Sequence, residues 1–344
     1  MAVRQVDEVL LAELRERVAA SARGWRPGAE VAGLRPLTGG TSSLTFVVDV
    51  AEAGRDDASL VLKVAPPGLA PVRNRDVLRQ ARLQKAVQGR SRSLAPDVLF
   101  ADAGAPPEVP PFMAMNLVPG ECLEPVLLPE EQRPAPATVR ARYLDAAGVL
   151  ADLHRIDPRD VGLADEPVVG LAAEIDRWTR AFATLPEELS GDYLACAQAL
   201  HATMPEPLHP VVNHGDFRLG NTLCEGDRLN TVIDWEIWSV GDPRVDVTWM
   251  EYFTDGSGHP AIAPGAPAGT PSGPELVGVY EAAIGRSLPD LDWFRALTRY
   301  KEAGLTGLLL KRADKDGRRV TDALGRMRPA LPALLKETLD LVGR

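Results

Sequence analysis

The stretch His214-Gly215-Asp216-Phe217-Arg218-Leu219-Gly220-Asn221, followed after a turn by Val232-Ile233-Asp234-Trp235-Glu236, decides how this chain is read. An acid, an amide five residues later and a second acid recur at fixed offsets. Between them, TLCEGDRLNTVIDWE (222–236) reads as two short strands around a Glu225-Gly226-Asp227 turn, so Asp234 stands at the end of a hairpin. Hard oxygen ligands in this order suit a magnesium ion. Phosphoryl transfer needs such a set, because the moving group and its leaving diphosphate concentrate negative charge that a metal must offset while one Asp takes the proton of the attacking hydroxyl. On this reading Asp216 is the catalytic aspartate, and Asn221 and Asp234 hold Mg²⁺. A lone Asp216 would pass for a helix cap or a surface acid; the joint pattern carries the assignment.

Upstream, the same chemistry calls for a loop that covers phosphates and a lysine on a following strand. Leu37-Thr38-Gly39-Gly40-Thr41-Ser42-Ser43 precedes the β-branched run LTFVVDV (44–50). Its glycines would let backbone N–H groups approach phosphate, and its hydroxyls add donors. A Gly-Gly pair between strands is by itself only a turn. Lys63 lies in the second run, LVLKVA (60–65), with apolar neighbours on both sides. A lysine there is costly unless an anion pairs with it, so it is expected to reach the α- and β-phosphates of a nucleotide.

The organisation fits two lobes. A helix over residues 7–22 is followed by strands 44–50 and 60–65, a helical segment near 72–88, and strand candidates in LAPDVLFAD and PPFMAMNLV. From about residue 138 the pattern turns helical, with the hairpin at 222–236 as an island. The change at Pro119 and Gly120 sets the division: residues 1–118 as a nucleotide-binding lobe ending in a hinge, and 119–344 as a helical lobe. The expected class is therefore α+β, a small and mainly antiparallel β lobe before a larger helical one. The Gly- and Pro-rich stretch 256–274 reads as a mobile loop.

Composition narrows the partners. A formal charge of -10 over 344 residues argues against a nucleic-acid binder, which gains affinity from clustered Lys and Arg. Two basic stretches, Arg73 to Arg92 and Lys311 to Arg328, read first as solvated helix faces. No run of residues approaches the roughly 20 apolar positions needed to cross a bilayer, and the N-terminal stretch lacks the apolar core of a signal peptide. A cytoplasmic protein without a membrane partner is expected. Cys122, Cys196 and Cys224 have neither a Cys-x-x-Cys spacing nor an even count, which implies ordinary thiols.

HGDFRLGN and IDWE resemble the catalytic and metal motifs of the aminoglycoside phosphotransferase or choline-kinase-like branch of the protein-kinase fold. PFMAMNLVPGE (111–121), LADLHRID (150–157), GDPRVDVTWM (241–250) and the tail from Glu275 are most similar to kinase-like domains related to those fused to acyl-CoA dehydrogenases. The resemblance implies a bilobal fold, ATP with Mg²⁺, and an adenine edge met by backbone groups of Asn116, Leu117 and Val118. It also implies that His214 props the loop, that Asp246 accepts hydrogen bonds from that loop, that Glu236 assists the metal site or substrate, and that His154 is a core histidine. Where the family pairs the strand lysine with a helix glutamate, this chain aligns Gln80, with Asp76 one turn earlier as a possible substitute.

The expected activity is transfer of the γ-phosphate of ATP to a hydroxyl of a small molecule, with a hydroxyacyl-CoA-like metabolite as the candidate acceptor and an aminoglycoside, amino-alcohol or sugar as the alternative. Basic residues Arg318 and Arg319 could meet CoA phosphates. Gln80 also admits a nucleotide-binding pseudokinase with a regulatory role. A metallohydrolase using His214, Asp216 and Asp234 would leave Lys63 and Asn221 without work. The oligomeric state stays open.

Overall fold

Alternating burial builds the first sheet. Beside β1 (Glu30–Pro36), in β2 (Leu44–Ala51) and β3 (Ala58–Val64) every second side chain turns inward, so Phe46, Val48, Val50, Leu60, Leu62 and Val64 form one apolar face. The amphipathic helix α1 (Glu8–Trp25), which precedes them, lays Leu14, Val18 and Ala22 on that face. Helix α2 (Val77–Val87) follows β3. Strands β4 (Val98–Asp102) and β5 (Phe112–Asn116) complete a five-stranded antiparallel sheet in the order β1-β2-β3-β5-β4. Its opposite face carries Val61, Val98, Met113 and Met115, against which Ala81 of α2 packs. Lys63 pairs in register with Met113, two residues from Val61, and so belongs to the α2 side. The computed structural model describes all residues except 1–7, 38–42, 53, 55, 56, 91–93, 318, 319 and 344.

The chain divides into two compact units. The first is Met1–Gly120 together with Asn230–Ile237, and the second is Glu121–Leu229 with Trp238–Arg344. The acid-bearing end of the hairpin thus belongs with the first sheet, where the 3₁₀ turn Trp235–Ile237 packs against Arg73–Arg75 and α2.

The second unit is built around long helices. After α3 (Pro136–His154) come the two-residue strand β6 (Val168–Val169), α4 (Leu171–Phe182), the single turn α5 (Glu187–Ser190) and α6 (Tyr193–Ala202). A short strand β7 (Val211–Asn213) leads to the loop at 214–221, and β8 (Thr222–Glu225) and β9 (Arg228–Val232) form the anticipated hairpin. Beyond β10 (Ser239–Gly241) the chain is helical: α7 (Arg244–Tyr252), α8 (Gly273–Ile284), α9 (Leu291–Asp316), α10 (Asp322–Met327) and α11 (Leu331–Val342). Helices α4, α7 and α11 pack on α9, and their apolar residues, including Trp178, Phe182, Phe294, Leu297 and Leu334, make the core.

Two sequence expectations change here. The helical half holds a second sheet, β6-β10-β7, with β10 parallel to β6 and antiparallel to β7. The stretch 256–274 is irregular as expected, yet it is pinned rather than loose. Asp255 accepts hydrogen bonds from the N–H groups of Ala268, Gly269 and Thr270, Arg133 donates to the Ala263 and Ala266 carbonyls, and Ala261, Ala263 and Ala268 are buried. One acid just outside the stretch supplies the side-chain acceptor for these N–H groups that Gly and Pro residues cannot.

Candidate functional site

Residues 214–221 turn sharply between β7 and β8. Gly215 has φ of 87°, a left-handed conformation that costs a residue without Cβ little, and the turn ends in a 3₁₀ segment, Leu219–Asn221. Asp246 of α7 holds the start of this turn. Its Oδ2 accepts from His214 N at 2.5 Å and its Oδ1 from Gly215 N at 2.9 Å. Burial alone would push the Asp246 carboxyl up, but the adjacent His154 imidazole, with the nearby His214 and Lys301, outweighs it and leaves the group lowered. His154 Nε2 lies 3.6 Å from Asp246, and its Nδ1 is 2.7 Å from the Tyr280 hydroxyl, so this histidine is an internal support. His214 Nδ1 accepts from Asp216 N at 3.2 Å, which ties the histidine to the turn it opens.

The side chain of Asp216 is held on both oxygens. Asn221 Nδ2 donates to Asp216 Oδ2 at 2.8 Å and to its carbonyl at 2.9 Å. Oδ1 accepts from Trp249 Nε1 at 2.6 Å and from Arg218 Nε at 3.2 Å. Arg218 in turn reaches Glu124, whose Oε2 also accepts from Gly220 N at 2.9 Å, and a side chain at Gly220 would collide with the guanidinium. Burial pushes the Glu124 carboxyl up despite Arg218 beside it, and the Tyr143 hydroxyl lies 2.9 Å from it. Asp216 and Asn221 are therefore brought together by their own loop, with Asp216 about a quarter exposed.

The GDPR segment anchors the same region from behind. Asp242 accepts from Arg244 N, Nε and Nη2, and the fully buried Arg244 guanidinium stacks over Phe294 at 4.1 Å. A buried ion pair is tolerated here because its hydrogen bonds are all spent inside the fold.

In the first unit, Lys63 Nζ donates to Asp234 Oδ1 at 3.2 Å. Asp234 has φ of 64°, uncommon for a residue with a Cβ, though a short polar side chain tolerates it. The buried Trp235 fixes the turn that follows by donating Nε1 to the Val232 carbonyl. Gln80 is buried, but its Nε2 goes to the Asn74 carbonyl at 3.2 Å and not to Lys63's partner. Asp76 Oδ1 accepts from Arg79 N and caps α2. The strand lysine thus has a partner, drawn from the hairpin and not from α2. At the end of β5, Asn116 Oδ1 accepts from Asp97 N at 2.6 Å, Leu117 is exposed and Val118 half-buried. Ser43 is buried, whereas Gly39, Gly40, Thr41 and Ser42 lie outside the described residues, as do Arg318 and Arg319.

A model of the phosphotransferase enzyme family matches residues 33–297, well over half of the chain. The chain belongs to that family. Among curated proteins, this phosphotransferase family member is similar to acyl-CoA dehydrogenase family member 11 of Pongo abelii, 25% identical over 261 residues that cover 71% of this chain and 32% of that protein. It spans about a third of the length of that relative. Among solved structures, it resembles a Ralstonia eutropha JMP134 protein assigned to the aminoglycoside phosphotransferases, with a TM-score of 0.72 and 20% identity over 98% of each chain. It also resembles a thermostable mutant of aminoglycoside phosphotransferase APH(4)-Ia in ternary complex with ADP and hygromycin B, at a TM-score of 0.57 and 16% identity over 97% of this chain and 99% of that one. These likenesses show a kinase-like phosphotransferase fold. No helix among the described residues is long and apolar enough to cross a membrane.

The donor chemistry fits magnesium. With Asn221 Nδ2 committed to Asp216, its amide oxygen is the atom that would ligate such an ion. No group of three or more His, Cys, Asp or Glu gathers among the described residues. Magnesium is commonly held by one or two side-chain oxygens plus substrate phosphates. Trp249, Glu124, Lys301 and Glu302 escaped the sequence reading of this site. Trp249 stood in a quoted motif, GDPRVDVTWM, but nothing local marks an indole N–H as aimed at a residue 33 positions away.

Proposed function

We propose that this chain is a small-molecule kinase that transfers the γ-phosphoryl group of ATP to a hydroxyl. The observation that carries the reading is the fixed carboxylate of Asp216, held by Asn221, Trp249 and Arg218 yet still partly open. The ADP held by a structural neighbour supports the choice of nucleotide. Lys63 would engage the α- and β-phosphates, the loop with Gly39, Gly40, Thr41, Ser42 and Ser43 would cover them, and Asn116, Leu117 and Val118 would meet the adenine. Asn221 and Asp234 would hold Mg²⁺, which offsets phosphate charge when bound. Asp216 orients the acceptor and takes its proton as the new P–O bond forms. The bond to the β-phosphate oxygen breaks, and ADP leaves with its electron pair.

The acceptor reading favours an anionic, acyl-CoA-like alcohol. Beside Asp216, itself about a quarter exposed, the Arg218 guanidinium is a quarter exposed and offers a contact to an anion, whereas Glu124 and Glu302 are buried. The name of the curated relative points the same way. The pseudokinase reading has one support, an α2 with amides where an acid is usual, and the Lys63–Asp234 ion pair weakens it. Measurement of ADP release from Mg·ATP in the wild type and Asp216→Ala tests the reading: loss of turnover in the variant is expected, and equal rates would favour a scaffold.

A further inference from the structure

Helix α9 sends one cation back to the loop that carries Asp216. Lys301 is buried, and its Nζ donates to the carbonyl of Gly215 at 2.5 Å while lying 3.9 Å from the centre of the Trp249 ring. A buried ammonium needs partners, and here it has a peptide carbonyl and an aromatic face in place of a directly bonded carboxylate. The partner peptide is the one next to Asp216. Its own N–H, that of Asp216, goes to His214 Nδ1, while the N–H of the preceding peptide goes to Asp246, so Gly215 is held on both of its backbone groups, from α7 and from α9. The ring under the ammonium belongs to the residue whose indole N–H meets Asp216 Oδ1 at 2.6 Å.

The geometry points to Lys301 and Trp249 as positioning residues for Asp216, a relay from α9 that fixes which carboxylate oxygen receives the acceptor hydroxyl. This rests on the phosphotransfer reading above. A carboxylate offers about four lone-pair sites. Trp249 and Arg218 occupy Oδ1, Asn221 takes one site on Oδ2, and the remaining site lies on Oδ2. The acceptor hydroxyl therefore hydrogen-bonds Oδ2, and its proton passes there as the O–P bond forms. Lys301 stiffens the arrangement twice over, holding the peptide that aims the Asp216 backbone and the ring that aims its side chain. Burial lowers the Lys301 ammonium's hold on its proton, while Glu174, Asp216 and Asp246 act to keep it charged.

Trp249→Phe removes the indole N–H while leaving a smaller aromatic ring near Lys301; Lys301→Met removes the cation and keeps most of the volume. Both are expected to lower kcat for ADP release about 10- to 100-fold, the worth of one hydrogen bond to a charged group, with KM for Mg·ATP unchanged. Lys301→Arg, which retains a donor and a cation, recovers part of that loss. The indole N–H resonance of Trp249, identified by its absence in Trp249→Phe, is expected to move upfield in Asp216→Ala and in Lys301→Met. Wild-type kcat in Trp249→Phe, in a preparation where Asp216→Ala is inactive, overturns the relay and leaves the phosphotransfer reading intact. A wild type that releases no ADP defeats that reading instead, and the relay then stands or falls on the resonance: no shift in Asp216→Ala refutes it.

Discussion

Glu302, the neighbour of Lys301 on α9, gives the stability of this protein a pH dependence that one substitution removes. Its side chain is buried, and burial raises the carboxyl to about 7, with the charge of Asp216 adding to the rise. Against this act the Thr306 hydroxyl, 3.0 Å away, and the cations Lys301 and Arg218. An exposed Glu in the unfolded chain titrates near 4.5. Because the folded value is the higher one, the folded state binds the extra proton between those two values. The associated stability is complete below pH 4.5 and is lost as pH rises to 7. At about 1.4 kcal/mol per unit, the loss is about 3 kcal/mol. Glu302→Gln keeps an oxygen for Thr306 and cannot ionise, so it lacks this slope. Urea unfolding followed by tryptophan fluorescence from pH 4.5 to 8 should show the variant gaining about 3 kcal/mol on the wild type as pH rises. Parallel stability curves would refute the assignment of a buried, neutral-prone carboxyl at this position.

Two further substitutions separate support from chemistry. Asp246→Asn leaves one oxygen for the two N–H groups of His214 and Gly215, and should cost about 2–4 kcal/mol in urea unfolding at pH 7. Since the Asp246 carboxyl is lowered in the folded state, its contribution is present above pH 3.8 and fades as pH falls through its folded value, so the gap between wild type and variant should narrow in strong acid. Lys63→Met should leave stability within about 1 kcal/mol, because the lost ion pair has a half-exposed partner in Asp234, yet weaken Mg·ATP binding by calorimetry at least about tenfold.

The loop at 214–221 was legible because its chemistry is compressed into eight residues, where spacing alone reports shared geometry. The first sheet was legible for a different reason: strands such as Leu44–Ala51 are long enough to show a period of two. Strands Val168–Val169, Val211–Asn213 and Ser239–Gly241 hold two or three residues each, too few for any period, and the sheet they form went unread. Strand Glu30–Pro36 was obscured by a register shift between Val31 and Gly33 that breaks its alternation. Asp76 stayed ambiguous in the sequence because an acid at a helix start has two uses, and capping Arg79 N is the nearer one. Contacts such as Lys301 to Gly215 join positions 86 residues apart and depend on how α9 crosses the core, which no local pattern encodes.

The central claim is phosphoryl transfer at Asp216, and a ³¹P spectrum reads it directly. Purified protein is mixed with Mg·ATP and each of a set of hydroxylated acceptors: hydroxyacyl-CoAs, aminoglycosides, choline and sugars. The account predicts a new phosphomonoester resonance with one of them, growing in step with ADP and missing with Asp216→Asn. A resonance of equal intensity in that variant, or free phosphate from a phosphoester substrate without any ATP, would contradict it.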